Sequence, residues 1–149
     1  MYDSTEDTKA HIRRVQELIA RCCAELTTIS VVHDASKLSE AEKYVFDEFT
    51  PKLKDSTYGS EEYKGFLDAM KPALEHHYAR NRHHPEHFDN GVIGMDLFDL
   101  IEMYCDWKAA TERHANGSLE KSIQHNAGRF GIGLQLTSIF ENTRRNLGW

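Results

Sequence analysis

Val31-Val32-His33-Asp34-Ala35-Ser36-Lys37 is the stretch around which the chain is organised. A histidine and an aspartate stand side by side after an apolar run, and Lys37 follows Asp34 by three residues. Imidazole nitrogen and carboxylate oxygen together suit a borderline divalent metal, and the carboxylate has two oxygens with which to bridge ions. The dipeptide has company. His11 lies upstream on a helical stretch, five histidines crowd between His76 and His87, and Asp106 lies in a later helical stretch.

Outward from this hub the pattern is helical throughout. Ile12, Val15, Ile19, Cys22, Leu26 and Ile29 recur at three and four, the stripe of a long amphipathic helix, with His11 at its edge. Ser4 is its expected N-cap, with Asp7 as partner. A second short helix is expected to carry His33-Asp34 at its end. Ser39 with Glu42 reads as a capping box opening a helix over 40–49, which stops before Pro51. Lys52 to Gly59 reads as a polar loop. Ser60 caps a further helix, and Pro72 imposes a kink or a new start. His77 then falls on the apolar side, three residues after Leu74, and His76 beside it faces away.

Residues 81–94 have no period and hold His83, His84, Pro85, Glu86, His87 and the turn signal Asn90-Gly91. Asp96, with Asp99, caps a helix running to about His114, its core face being Leu97, Leu100, Ile101, Tyr104 and Cys105. Ser118 caps the next, to about Phe130, where Gly131 and Gly133 break it. The last runs from Leu134 to Leu147 with Leu136, Ile139, Phe140 and Thr143 inward. The expectation is one all-α domain over residues 1–149, a compact bundle of six or seven helices.

The 149 residues carry a net charge of −6, which argues against a general nucleic-acid binder. A small anionic substrate remains compatible, because a metal or a local basic pocket overrides net charge. The N-terminal MYDSTEDTK lacks an apolar run, so no signal peptide is expected, and no stretch reaches the roughly 18 apolar residues of a membrane span. Cys22, Cys23 and Cys105 show no CxxC spacing and read as buried, reduced thiols of a cytoplasmic protein.

His11, His33-Asp34 with Ala35-Ser36-Lys37, the 76–87 histidines and Asp106, in that order, resemble the HD-domain superfamily of metal-dependent phosphohydrolases. The resemblance spans roughly His11 to Asp106, with Ser36 where that family often has glycine. NRHHPEH and EMYCDWKA are also similar to stretches of small uncharacterised proteins of bacteria and their viruses.

The resemblance implies one or two divalent ions per chain (Mn, Zn, Co, Ni, Mg or Fe) and a small phosphorylated substrate such as a nucleotide. It implies His11, His33, Asp34 and Asp106 as ligands, and His77, His83 and His84 are added from the histidine cluster. Asp34 and Lys37 are the expected catalytic pair. Lys37, Arg80, His125 and Arg129 are the candidate substrate contacts. Two departures bear on subclass: His77 and His83 are closer together than the extra histidines of two-metal members, and Lys37 stands where monophosphate-hydrolysing members often carry an acid. A di-iron oxygenase on the same scaffold and a non-catalytic metal-containing module are the alternatives. Homo-oligomerisation stays open.

Overall fold

The computed structural model describes residues 2–57, 60–113 and 116–149. Among these the chain is all-α, with seven α-helices, three short 3-10 turns and no strand. It divides into two units, Met1–His33 and Asp34–Trp149. No helix among the described residues is long and apolar enough to cross a membrane.

The first unit is one helix, α1 (Thr5–Val32). It runs without a break to the residue before His33, so the separate short helix expected to carry the dyad is instead the last turn of α1. Unbroken 3-4 spacing and the absence of Gly or Pro across the span are the reason. Ser4 precedes the helix but its side chain makes no capping bond, and the apolar stripe contains no buried residue. Cys22 and Cys23 are exposed, as is Cys105, which corrects the expectation of buried thiols.

The second unit opens with a 3-10 turn, Ala35–Leu38, and continues as α2 (Lys43–Asp55), α3 (Glu61–Ala69) and α4 (Lys71–Arg80). Two 3-10 turns follow, Pro85–His87 and Gly91–Gly94, then α5 (Leu97–Glu112), α6 (Leu119–Phe130) and α7 (Leu134–Leu147). Several local signals act as written. Ser60 accepts from the Tyr63 amide, Ser118 from that of Lys121, and Asp96 and Asp99 form a reciprocal capping box. Pro72 sits in the first turn of α4, where its missing N–H costs nothing. Gly131 ends α6 in the left-handed region at φ 63°, which a glycine enters freely.

Other signals were overridden. Pro51 lies inside α2, which starts three residues late and runs on to Asp55, through much of the expected loop. The sacrificed backbone bond is offset by packing on α3, where Phe49 and Phe66 stand 6.1 Å apart. On α5 the buried face is Asp99, Met103, Tyr104 and Trp107, while Leu97 and Cys105 are exposed. The helix is thus rotated from the expected face. Ile139 of α7 is also exposed, and Phe140 beside it is buried. The expected helix-end residue His114 lies outside the described residues.

The core of the second unit joins Met103, Tyr104 and Trp107 of α5 to Leu119 and Ile123 of α6 and Phe140 of α7. Tyr104 stacks on Phe140 at 5.3 Å and donates its hydroxyl to the Phe140 carbonyl. Each such fully buried apolar side chain contributes about 1.5–3 kcal/mol. This core anchors α5, and α5 holds out three acids, Asp99, Glu102 and Asp106, at the three-and-four spacing of a single helix face.

Candidate metal centre

α1 ends at Val32 with His33 as its cap, and Asp34 turns the chain with φ 55°, the one non-glycine residue with positive φ among those described. Aspartate tolerates this region better than most residues. The turn lets Lys37 place its Nζ 2.5 Å from Oδ2 of Asp34. The other oxygen, Oδ1, lies 3.2 Å from Nε2 of His77 and 3.5 Å from Nε2 of His83. Nε2 of His84 stands 3.0 Å from Nε2 of His77. Asp34, His77, His83 and His84 therefore offer four donor atoms that all lie within 4.8 Å of one another.

These distances suit a shared cation. A tetrahedron with metal–ligand bonds of about 2.0–2.1 Å has edges of roughly 3.3–3.4 Å. The observed separations of 3.0, 3.2 and 3.5 Å bracket that edge. Three imidazole nitrogens and a carboxylate oxygen are also the donor types that first-row transition ions prefer. The group can hold a metal ion.

Two carboxylates behind the rings set which nitrogen faces inward. Oε2 of Glu42 lies 2.9 Å from Nδ1 of His77, and Oε1 of Glu102 lies 3.0 Å from Nδ1 of His83. A carboxylate accepts only, so each Nδ1 carries a proton and each Nε2 is the ring nitrogen turned toward the cluster. That arrangement, a carboxylate on the far nitrogen of a ligating histidine, orients the ring and raises its basicity.

Glu42 is fully buried and also holds Nδ1 of His76 at 2.7 Å with its other oxygen. It therefore does not close the expected capping box with Ser39, and His76 does not turn away from the site region. Ser36 and Asn81 complete the shell. Ser36 donates to Glu42, and Asn81 donates to Ser36 and to the His77 carbonyl.

Charge in the cluster follows from these contacts. Burial works against the Asp34 carboxylate, but hydrogen bonds from His77, His83 and Lys37 outweigh it and hold the group below the usual carboxylate range. Burial likewise opposes a charged His83, yet its bonds to Asp34 and Glu102 push it up to about 9. His84 is pushed down to about 2, by burial first and then by the neighbouring His83 and His77. A ring that resists protonation this strongly keeps its lone pair for a metal.

Every residue of the run 83–87 has a task. His83 and His84 join the cluster. Pro85, buried, opens the 3-10 turn. Glu86 accepts from Arg129 of α6 at 2.7 Å, and Nδ1 of His87 donates to the Tyr78 carbonyl at 2.9 Å. Arg82, just before the run, is fixed by two bonds to the buried Asp99, of 2.9 and 2.8 Å. Together these contacts hold an irregular segment in one shape.

The remaining expected site residues fall as follows. A carboxylate oxygen of Asp106 lies within 4.8 Å of one on Asp34. Arg80 donates to His76 at 2.9 Å, on the outer side of Glu42. Arg129 and His125 are exposed on α6. His11 is exposed on α1, and His33 caps that helix. Trp107 is core.

Sequence reasoning missed Glu42 and Glu102. Glu102 had a signal, since it completes a three-and-four row with Asp99 and Asp106. Glu42 had none beyond its reading as a cap.

The chain belongs to DUF5662, a family of unknown function whose model matches residues 1–147. No curated protein and no solved structure matches it.

Proposed function

We propose that this member of a family of unknown function is a metal-dependent phosphohydrolase of the HD type, acting on a nucleotide or a related small phosphate ester. The observation that carries the reading is the convergence of one donor atom each from Asp34, His77, His83 and His84 within 4.8 Å, with Glu42 and Glu102 behind His77 and His83. The resemblance of the His33-Asp34 dyad and Asp106 to the HD pattern supports the choice of reaction.

Asp34, His77, His83 and His84 would hold the ion. The nitrogen-rich donor set favours Mn, Fe, Co, Ni or Zn over Mg. Such an ion, when bound, supplies a water of lowered pKa and positive charge for the phosphoryl oxygens. The chain's own groups do the rest. Asp34 stays ionised because Lys37 beside one oxygen and the His77 and His83 rings beside the other favour its charge. Lys37 sits on Oδ2, away from the histidines, and its ammonium has further N–H donors to offer a phosphoryl oxygen. Asp106, with a carboxylate oxygen near one of Asp34, would accept a proton or orient a water beside the cluster.

The test is elemental analysis of the purified chain, followed by a nucleotide and phosphate-ester hydrolysis screen with the metal found. A stoichiometric ion and turnover that chelation abolishes are expected. Full metal loading with no ester hydrolysed would end the hydrolase reading.

A further inference from the structure

Beside the cluster, α6 brings one cation against both of the site's chain segments. Arg129 donates from Nη2 to Glu86 at 2.7 Å, two residues after His84. Its charge also acts on the side chain of Tyr78, the residue after His77. The Tyr78 ring stands 4.9 Å from that of His84 and 6.1 Å from that of His77, centroid to centroid. The guanidinium lies over the Phe130 ring at 4.6 Å, which orients its plane.

We infer that Arg129 and the Tyr78 hydroxyl form the phosphate-recognising edge of the site, with Glu86 setting the guanidinium in place. The inference rests on the hydrolytic reading of the neighbouring cluster and adds to Lys37 a second contact for the substrate's anionic oxygens.

Three arguments support it. The Arg129–Glu86 pair is wet, with side chains 48% and 30% exposed, so its contribution to stability is small. A guanidinium has more N–H donors than the contact with Glu86 uses, and its planar fork matches a tetrahedral oxyanion. Tyr78, half-buried against His84, presents a hydroxyl that is protonated at neutral pH and donates. A phosphate group is thus met by donors from α4 and α6 while the histidines hold the ion. Lys37, engaged on Asp34, is on a different group and does not duplicate this edge.

The experiment is calorimetric titration of inorganic phosphate into the Mn2+-loaded full chain, with metal content measured for every variant. Arg129→Ala should weaken phosphate about tenfold or more, the order expected for lost charge-assisted hydrogen bonds, at unchanged metal content. Arg129→Lys keeps the pair with Glu86 and should recover only part, since it lacks the fork. Tyr78→Phe keeps the ring against His84 and should weaken phosphate by a smaller factor. Glu86→Gln should tighten phosphate, because it keeps an acceptor for Arg129 and removes a like charge from beside the anion.

Phosphate affinity in Arg129→Ala within twofold of wild type at equal metal content would overturn the inference, as would a wild type that binds no phosphate. Arg129-dependent phosphate binding without turnover of any ester would retain this edge and remove the hydrolase reading instead.

Discussion

Oε2 of Glu42 lies 2.9 Å from Nδ1 of His77, and both side chains are closed to solvent. A carboxylate with no water of its own must be satisfied by protein donors, and here two imidazoles and a serine hydroxyl do it. Burial opposes the charge, but those three bonds hold Glu42 below the usual carboxylate range. Glu42→Gln removes the charge that makes His77 basic while nearly preserving shape. Metal affinity should fall about 10–100-fold, with helical content retained. Competition against a chelating dye, with circular dichroism alongside, measures both. Wild-type affinity in this variant would show that Glu42 does not act on the ligand.

Asp34→Asn is the matching test of the hub. Asparagine enters the left-handed region as readily as aspartate, so the turn at φ 55° is undisturbed. What changes is charge. Metal content should drop, and phosphate-ester turnover should fall by orders of magnitude, while the helical circular dichroism of the variant is retained. Turnover that survives complete removal of metal would sink the proposed mechanism.

The metal-free protein should show a stability maximum in pH set by this cluster. His83 is raised to about 9 in the folded state from about 6.5 unfolded. The stability it contributes is complete below about 6.5 and is lost as pH rises through about 9. His84 is depressed to about 2, so the unfolded chain binds its proton first and stability is lost as pH falls below about 6.5. Asp34 adds to the acid side, since its folded value is lowered and its contribution disappears as pH drops below about 3.9. Denaturation of the chelator-treated chain across pH should therefore fall away on both sides of about 6.5. His83→Gln should flatten the alkaline limb, and an unchanged alkaline slope in that variant would refute the assignment.

Lys37 is paired with Asp34 at 2.5 Å and lies 5.3 Å from the centre of the Phe46 ring. Lys37→Ala should leave metal bound and lower kcat/KM for phosphate esters about 10²-fold, the order expected for one lost electrostatic donor. Lys37→Arg should recover part of it. Steady-state kinetics with metal analysis separates the outcomes. Loss of metal in the alanine variant would make Lys37 a residue that positions Asp34, and unaltered kinetics would make it surface charge.

The all-α class, the caps at Ser60, Ser118 and Asp96, the restart at Pro72 and the inward face of His77 were all legible in the sequence. Each depends on residues within one or two turns of one another, and a hydrogen bond or helical period of that reach is written in consecutive letters. The dyad and the histidine cluster could be nominated from residue type and crowding, and Asp106 from the resemblance to the HD pattern.

Tertiary structure decided the rest. Pro51 inside α2 and the rotation of α5 that exposes Leu97 and Cys105 are outcomes of packing, which outweighs local preference. Glu42 and Glu102 reach their histidines from 35 and 19 positions away, measured to His77 and His83. No periodicity spans such distances. Only the placement of α2, α4, α5 and the 81–88 segment around one point turns a buried acid from a helix cap into the partner of a candidate ligand. The physical reason is that metal-site geometry is a matter of convergence in space, and convergence is a property of the folded chain.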